Sequence, residues 1–178
     1  MKIKSTVSAI LAMTTVLSTF GLAFTKSAEA APRTFSCQMV SGAWATLVNE
    51  SGKPERQLIR WTSDLGASVG YTPERRCNEV TNRMNLYFSN SGQFITHGIQ
   101  KGQKVICTTD RLGKDCLNLL YTLAPNKDPK LVLEDLFGVN PSNVQRGPLR
   151  EPPCPTYISV DALLAGKTRF AQEACFPK

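Results

Sequence analysis

The sequence contains little from which a metal site or a catalytic centre could be built. His97 is the only histidine among 178 residues, and none of the six cysteines stands in a C-x-x-C pair. Zinc sites in proteins need closely spaced cysteine and histidine ligands, and a serine or cysteine nucleophile needs a base beside it. We therefore predict no metal, no cofactor and no catalytic residue.

Dense clusters of lysine and arginine, which are typical of nucleic-acid-binding domains, are also missing. The chain has 21 basic and 14 acidic residues, and without residues 1–30 these numbers fall to 18 and 13, a net charge near +5. A mild positive charge favours anionic partners in general. We expect no nucleic-acid partner; an anionic membrane surface, an acidic polysaccharide or an envelope protein is the expected class.

Only one long apolar stretch occurs, at residues 7–24, and it is broken by serine and threonine rather than by charges. Two lysines precede it, and Ala28-Glu29-Ala30 follows it. A basic start, an apolar segment and small residues at a cleavage site are typical of a secretory signal peptide. The pattern predicts a leader over residues 1–30 and a mature chain that begins at Ala31, with an uncleaved N-terminal anchor as the alternative.

All six cysteines follow this leader, and an even number of cysteines in an exported chain predicts disulfides in an oxidising compartment. The compartment is the periplasm, the extracellular space or the thylakoid lumen, with peripheral attachment to a membrane left open. Fifteen pairings of six cysteines exist. Cys107 lies in a predicted strand and Cys116 just before the strand predicted to pair with it, so these two are predicted to form a local bridge. Cys37, on the first predicted strand, and Cys77, on the buried face of the first predicted helix, form the next pair. The predicted pairs are Cys107–Cys116, Cys37–Cys77 and Cys154–Cys175.

Hydrophobic periodicity predicts three strands before residue 62 and three more between residues 94 and 123. Ser41-Gly42 and Lys101-Gly102 supply hairpin turns. Thr72-Pro73-Glu74 is typical of a helix start, with a hydroxyl cap and a proline in the first turn. The buried face of that helix is predicted from its three- and four-residue spacing to be Cys77, Val80, Met84 and Tyr87 or Phe88.

A second helix is predicted to begin at Asp128-Pro129 and to end at Gly138, and a short third helix covers Ser159 to Ala165. The proline-rich residues 141–155 are expected to run extended over the surface. The order βββαβββα indicates an α+β fold with one antiparallel sheet of about six strands, two main helices, a short C-terminal helix and three disulfides. The domain is predicted to cover residues 31–166, with a tail at residues 167–178 tied back by a disulfide.

Basic residues on the first helix and at the second hairpin turn are the predicted contacts to an anionic surface. Glu79 lies at i+4 from one helical arginine and at i−4 from another, so these charges are expected to satisfy one another in part. Lys127 and Lys130, beside the second helix, provide a control pair. The predicted contacts are Arg75, Arg76, Arg83, Lys101 and Lys104.

Ser68 lies in Gly66-Ala67-Ser68-Val69-Gly70, which matches the G-x-S-x-G pattern of a nucleophile elbow. An elbow needs a strand directly before the serine and a helix directly after it. The helix start at Thr72 comes too late, which favours a glycine-rich loop. His97 shares a strand face with two isoleucines and is interpreted as a partly covered sheet residue. The two tryptophans, Trp44 and Trp61, lie in strand patterns and are interpreted as core or half-buried residues.

Several short motifs together resemble the circadian oscillating protein family of cyanobacteria. They are Phe35-x-Cys37, Ile59-Arg60-Trp61, Gly70 to Cys77 with Glu79-Val80 and Arg83, Ile95-Thr96-x-Gly98, Val105-Ile106-Cys107 and Leu119 to Leu123. The resemblance spans residues 35–164 and implies an exported domain with no assigned reaction. Two features depart from the pattern: His97 replaces a small hydroxyl residue, and the last two cysteines lie in a tail.

Two hypotheses follow. The first is an exported, non-catalytic, envelope-associated domain that binds an anionic surface or partner. The alternative is a small secreted hydrolase or an inhibitor of one.

Overall fold

The computed structural model describes residues 32–64, 66–88, 93–146 and 154–175. Within these ranges the chain is an α+β protein, as predicted, with three α-helices and two β-sheets. The strands are β1 (Arg33–Val40), β2 (Ala43–Glu50), β3 (Arg56–Trp61), β4 (Phe94–Gln100), β5 (Gln103–Thr109), β6 (Asn118–Thr122), β7 (Val144–Gln145), β8 (Thr156–Ser159) and β9 (Ala171–Glu173). The helices are α1 (Pro73–Phe88), α2 (Pro129–Leu136) and α3 (Val160–Leu164). The predicted leader lies outside the described residues.

The first sheet is the antiparallel meander β1-β2-β3. Ser41 and Gly42 join the first two strands with φ angles of 48° and 77°. Positive φ at both central residues is the geometry of a two-residue hairpin turn whose twist matches the strands. The outer edge of β1 is covered in part by α1, because the side-chain amide of Asn85 accepts from the backbone N–H of Phe35 and donates to its carbonyl, both at 2.7 Å.

The second sheet has the order β6-β5-β4-β8-β9-β7, which corrects the prediction of one six-stranded antiparallel sheet. Its first three strands are those predicted between residues 94 and 123. The other three come from the C-terminal part of the chain and have only two to four residues each, too short to show an alternating pattern. The pair β7 and β9 is parallel. The predicted tail therefore contributes a strand, and part of the proline-rich segment forms β7.

Helix α1 begins as predicted, with the hydroxyl of Thr72 accepting from the backbone N–H of Arg75 at 3.2 Å. Its predicted buried face is confirmed at Cys77, Val80, Met84 and Phe88. The helix packs on β1, β2 and β3 and also contacts β6, so it connects the two sheets. Helix α2 lies on β4 and β5, and the carboxylate of Asp128 caps its first turn by accepting from two backbone N–H groups.

The buried residues of both sheets and of all three helices form one contiguous hydrophobic cluster. Three disulfides are present, and each joins the two cysteines that the sequence paired. They are Cys37–Cys77, Cys107–Cys116 and Cys154–Cys175, with Cα–Cα distances of 5.7, 5.5 and 4.7 Å. These distances are ordinary for disulfides. None of the described helices is both long and apolar enough to cross a membrane.

Candidate anion-binding cleft

Ser68 and His97 occupy separate parts of the fold. Ser68 is exposed in a 3₁₀ helix at Ala67–Val69, and β3 has already ended at Trp61, so no strand leads directly into the serine. His97 lies in β4, where its Nε2 accepts from the backbone N–H of Thr156 at 3.3 Å. Burial lowers the pKa of His97 to about 4, so the ring is neutral at pH 7 and one nitrogen is already engaged.

Four of the five predicted surface contacts lie on exposed or half-buried positions, and three of these four are engaged within the protein. Arg75 and Arg83 both pair with Glu79, at 2.9 and 3.7 Å, as expected from their spacing. The ammonium of Lys104 donates to two backbone carbonyls, at 2.9 and 3.0 Å. Lys101 is exposed in the β4–β5 turn. A surface of free cations is therefore only partly assembled from these residues.

Arg76 is the fifth predicted contact, and the structure corrects its placement. It is buried, with only 3% of its surface exposed. The helical spacing could have indicated this burial, because Arg76 precedes Val80 by four residues and Met84 by eight and so lies on the apolar face of α1. A charge on a buried stripe is unusual, and for that reason the sequence suggested a solvated position.

The guanidinium of Arg76 has few partners. Its Nη2 donates to the backbone carbonyl of Ser63, and the group lies 5.9 Å from the ring centroid of Trp61. Its Nε is buried and has no acceptor among the described residues. None of the carboxylates in the described residues lies within ion-pair distance of the guanidinium. The other fully buried arginine, Arg33, does have a counter-ion, because it pairs with Asp161.

Arg76 lines an open cleft of about 180 Å³ between β3, α1, β6 and α2. Two further cations and one acid are at this cleft, and all three are exposed: Arg60, Lys127 and Asp135. The walls also include aromatic and aliphatic side chains. They are Trp61, Tyr121, Leu123, Val132 and Leu136. The cleft thus combines one buried cation, a predominantly basic rim and apolar walls.

The aromatic floor of the cleft is held by the core behind it. The indole N–H of Trp61 donates to the hydroxyl of Thr46 at 3.0 Å, and that hydroxyl is 3.0 Å from the hydroxyl of Thr81 on α1. Tyr121 packs edge-on against Trp61, with 5.9 Å between ring centroids, and Tyr71 stacks on Tyr121. These contacts keep the floor in one arrangement, so a ligand would meet a preformed surface.

Lys104 acts on the cleft from a distance. Its ammonium donates to the carbonyls of Pro125 and Lys127, and so it holds the loop that carries Lys127 to the rim. Lys127 lines the same cleft as Arg76, so it cannot serve as a control in a test of that cleft. Lys130, its predicted companion, pairs with Glu173 at 2.7 Å.

The remaining candidates have structural roles. Trp61 is buried and Trp44 is half-buried, as interpreted from their strand patterns. In the described residues, no three histidine, cysteine, aspartate or glutamate side chains cluster closely enough to hold a metal ion. His97 borders a second cavity of about 350 Å³ together with Asp115 and Cys116, but no buried unpaired group faces that cavity among the described residues.

One comparison with known proteins gives a match. The family model described as Circadian oscillating protein COP23 matches residues 34–165. Neither the curated proteins nor the solved structures contain a significant match to the chain.

Proposed function

Because the chain belongs to the circadian oscillating protein COP23 family and that family name indicates no reaction, we propose a function from the cleft: an exported, non-catalytic domain that binds an anionic partner. The proposal has three parts, which are export, the anionic ligand and the absence of catalysis. Each part is supported by a different observation.

Export is supported by the three disulfides. Such bonds form and persist in oxidising compartments and are rare in the cytosol. Together with the leader predicted at residues 1–30, they favour the periplasm, the extracellular space or the thylakoid lumen. The protein would be associated with the envelope through its partner.

The anionic ligand is supported by one observation, which carries the proposal: Arg76 is buried, and no carboxylate of the described residues lies within ion-pair distance of it. An ion removed from water without a counter-ion costs several kcal/mol, which is why buried charges in proteins are normally paired. An anion in the cleft would supply the missing counter-charge. Arg60 and Lys127 at the rim would raise the local concentration of anions before they enter.

The recessed position of Arg76 favours a partner with a protruding anionic group over a flat anionic surface. A membrane surface would meet the exposed cations first, whereas an acidic side group of a polysaccharide or of an envelope protein can enter a cleft. The exposed Lys101 remains available for weaker contact with an anionic surface. Binding in the cleft should therefore depend on Arg76, whereas binding to a flat anionic surface should depend on exposed cations such as Arg75.

The test compares Arg76→Met with Arg75→Met. The two residues are adjacent and of the same type, but Arg75 is exposed and paired with Glu79. Binding of the purified protein to an immobilised polyuronate and to anionic liposomes is measured from 0.05 to 1 M salt. We expect binding that weakens with salt, because the Debye length falls from about 10 Å at 0.1 M to about 3 Å at 1 M. We also expect a loss of about tenfold or more for Arg76→Met alone. Equal losses in both variants, or binding that ignores salt, would refute the cleft as the site.

The non-catalytic part is supported by the separate placement of Ser68 and His97 and by the engaged Nε2 of the histidine. A serine-reactive probe should leave Ser68 unlabelled under conditions in which a control hydrolase is labelled. Labelling of Ser68 that is lost on unfolding would favour the alternative of a small secreted hydrolase.

A further inference from the structure

We propose that the Arg76 cleft selects a monocarboxylate carried on a short apolar body. This inference rests on the proposed function and narrows it, because it names the chemistry of the anionic group. Three features of the cleft support it: its size, its balance of charge and the nature of its walls.

The size excludes a large ligand. Sites for drug-sized molecules measure about 300–1,000 Å³, whereas this cleft measures about 180 Å³. It can accept one end group with a few carbon atoms. A long acidic polymer could present only a terminal or side group to it.

The charge balance favours a single negative charge. Among the described residues that line the cleft, Arg76 is the one buried cation, and the exposed Arg60, Lys127 and Asp135 are all screened by solvent. A carboxylate matches one guanidinium in charge and in its planar shape. A phosphate dianion or a dicarboxylate would bring a second negative charge for which the described lining residues offer no buried cation.

The walls favour an apolar body next to the carboxylate. Leu123, Val132 and Leu136 line the cleft, and the last two are only half-buried. Covering them with methylene groups removes apolar surface from water on both sides. Each buried methylene should therefore raise affinity by about fourfold. Hydroxyl groups in the same position would gain nothing from these walls.

The experiment titrates the purified protein with acetate, propionate and butyrate, and with phosphate, succinate and glucuronate at matched ionic strength. The readout is the indole N–H resonance of Trp61, whose ring lies beside the guanidinium. We expect butyrate to bind about tenfold or more tightly than acetate, phosphate and glucuronate. Arg76→Met should abolish the shift, and Arg75→Met should keep it. Val132→Thr, which replaces a methyl group with a hydroxyl, should reduce the gain from acetate to butyrate by at least twofold.

The outcomes separate the two proposals. If phosphate binds more tightly than butyrate and the binding depends on Arg76, the preference for a carboxylate is overturned. If glucuronate does so, the preference for an apolar body is overturned. In both cases the anion-binding function stands. If no anion gives an Arg76-dependent shift, both fail. A chain-length effect that persists in Arg76→Met would show apolar adsorption only and would also overturn the inference.

Two further arms identify the source of the carboxylate. One is N-acetylvaline, and the other is a five-residue peptide that ends in a free valine carboxylate, each tested against its amide. We expect both acids to bind and both amides to fail if the carboxylate is the recognised group. Tighter binding of the peptide acid would assign the site to a protein terminus, and tighter binding of N-acetylvaline would assign it to a free acid. Equal binding of acid and amide would overturn the inference.

Discussion

Replacing Arg76 by methionine should remove ligand binding without the loss of stability that a buried arginine would normally suggest. Methionine keeps an unbranched side chain about as long as the aliphatic part of arginine and removes the charged guanidinium. The prediction depends on two features of Arg76: no carboxylate of the described residues lies within ion-pair distance of its guanidinium, and its buried Nε has no acceptor among them. A residue that only supported the fold would behave in the opposite way.

The magnitude follows from terms of opposite sign. The substitution loses the charged hydrogen bond to the Ser63 carbonyl, about 1.5–3 kcal/mol. It also loses the cation–π contact with Trp61, about 0.5–2 kcal/mol. Against these losses, the substitution removes a buried charge that has no counter-ion among the described residues, whose burial costs several kcal/mol. It also removes the buried Nε that lacks an acceptor there. The net change in the free energy of unfolding should therefore be about 1 kcal/mol or less.

The assay is urea unfolding of the wild type, Arg76→Met and Met84→Ala, with and without butyrate at about 100 times its Kd. Met84 is fully buried on the same helix, so its truncation should cost about 2–5 kcal/mol. Butyrate should stabilise the wild type and Met84→Ala by about 2.7 kcal/mol and leave Arg76→Met unchanged. A loss of about 3 kcal/mol or more in ligand-free Arg76→Met, or equal stabilisation of all three proteins, would refute the reasoning.

Three other properties can be tested directly. Burial lowers the pKa of His97 from 6.5 to about 4, so the stability contributed by its neutral ring should be complete above pH 6.5 and should fall by about 2–3 kcal/mol as the pH drops to 4. In urea unfolding, His97→Gln should show a shallower pH dependence of stability between pH 6.5 and 4, and identical slopes would contradict the assignment. Non-reducing peptide mapping should recover only the three observed disulfide pairs, and an exchanged pair would count against this account. Removal of Cys37–Cys77, with a sequence separation of 40, should cost about 4 kcal/mol against about 2.7 kcal/mol for Cys107–Cys116, with a separation of 9, and the reverse order would contradict it. Mass analysis of the protein recovered from its source cells should find Ala31 as the first residue, and a chain that begins at Met1 would show that residues 1–30 are retained.

Local signals in the sequence were sufficient for much of the fold. The two hairpin turns were predictable because Gly42 and Gly102 can adopt positive φ, and both do so at 77° and 75°. The start of α1 was predictable from the hydroxyl of Thr72 and the following proline, and its buried face from the spacing of apolar residues. The α+β class follows from the succession of these elements. Each of these properties depends on residues that are close together in the chain.

The sequence alone therefore determined the fold class, the hairpin turns, the start and buried face of α1 and the number of disulfides. Only the tertiary structure decided how the nine described strands divide into two sheets, because β8 pairs with β9 and also with β4, which is distant in the chain. It also decided the role of Arg76. The pattern of α1 places this arginine on the apolar face, but whether a carboxylate would meet it depended on packing against β3, β6 and α2. None of the described carboxylates lies within ion-pair distance of Arg76. The arginine that the sequence placed on the surface is therefore a buried cation of the cleft without a described counter-ion.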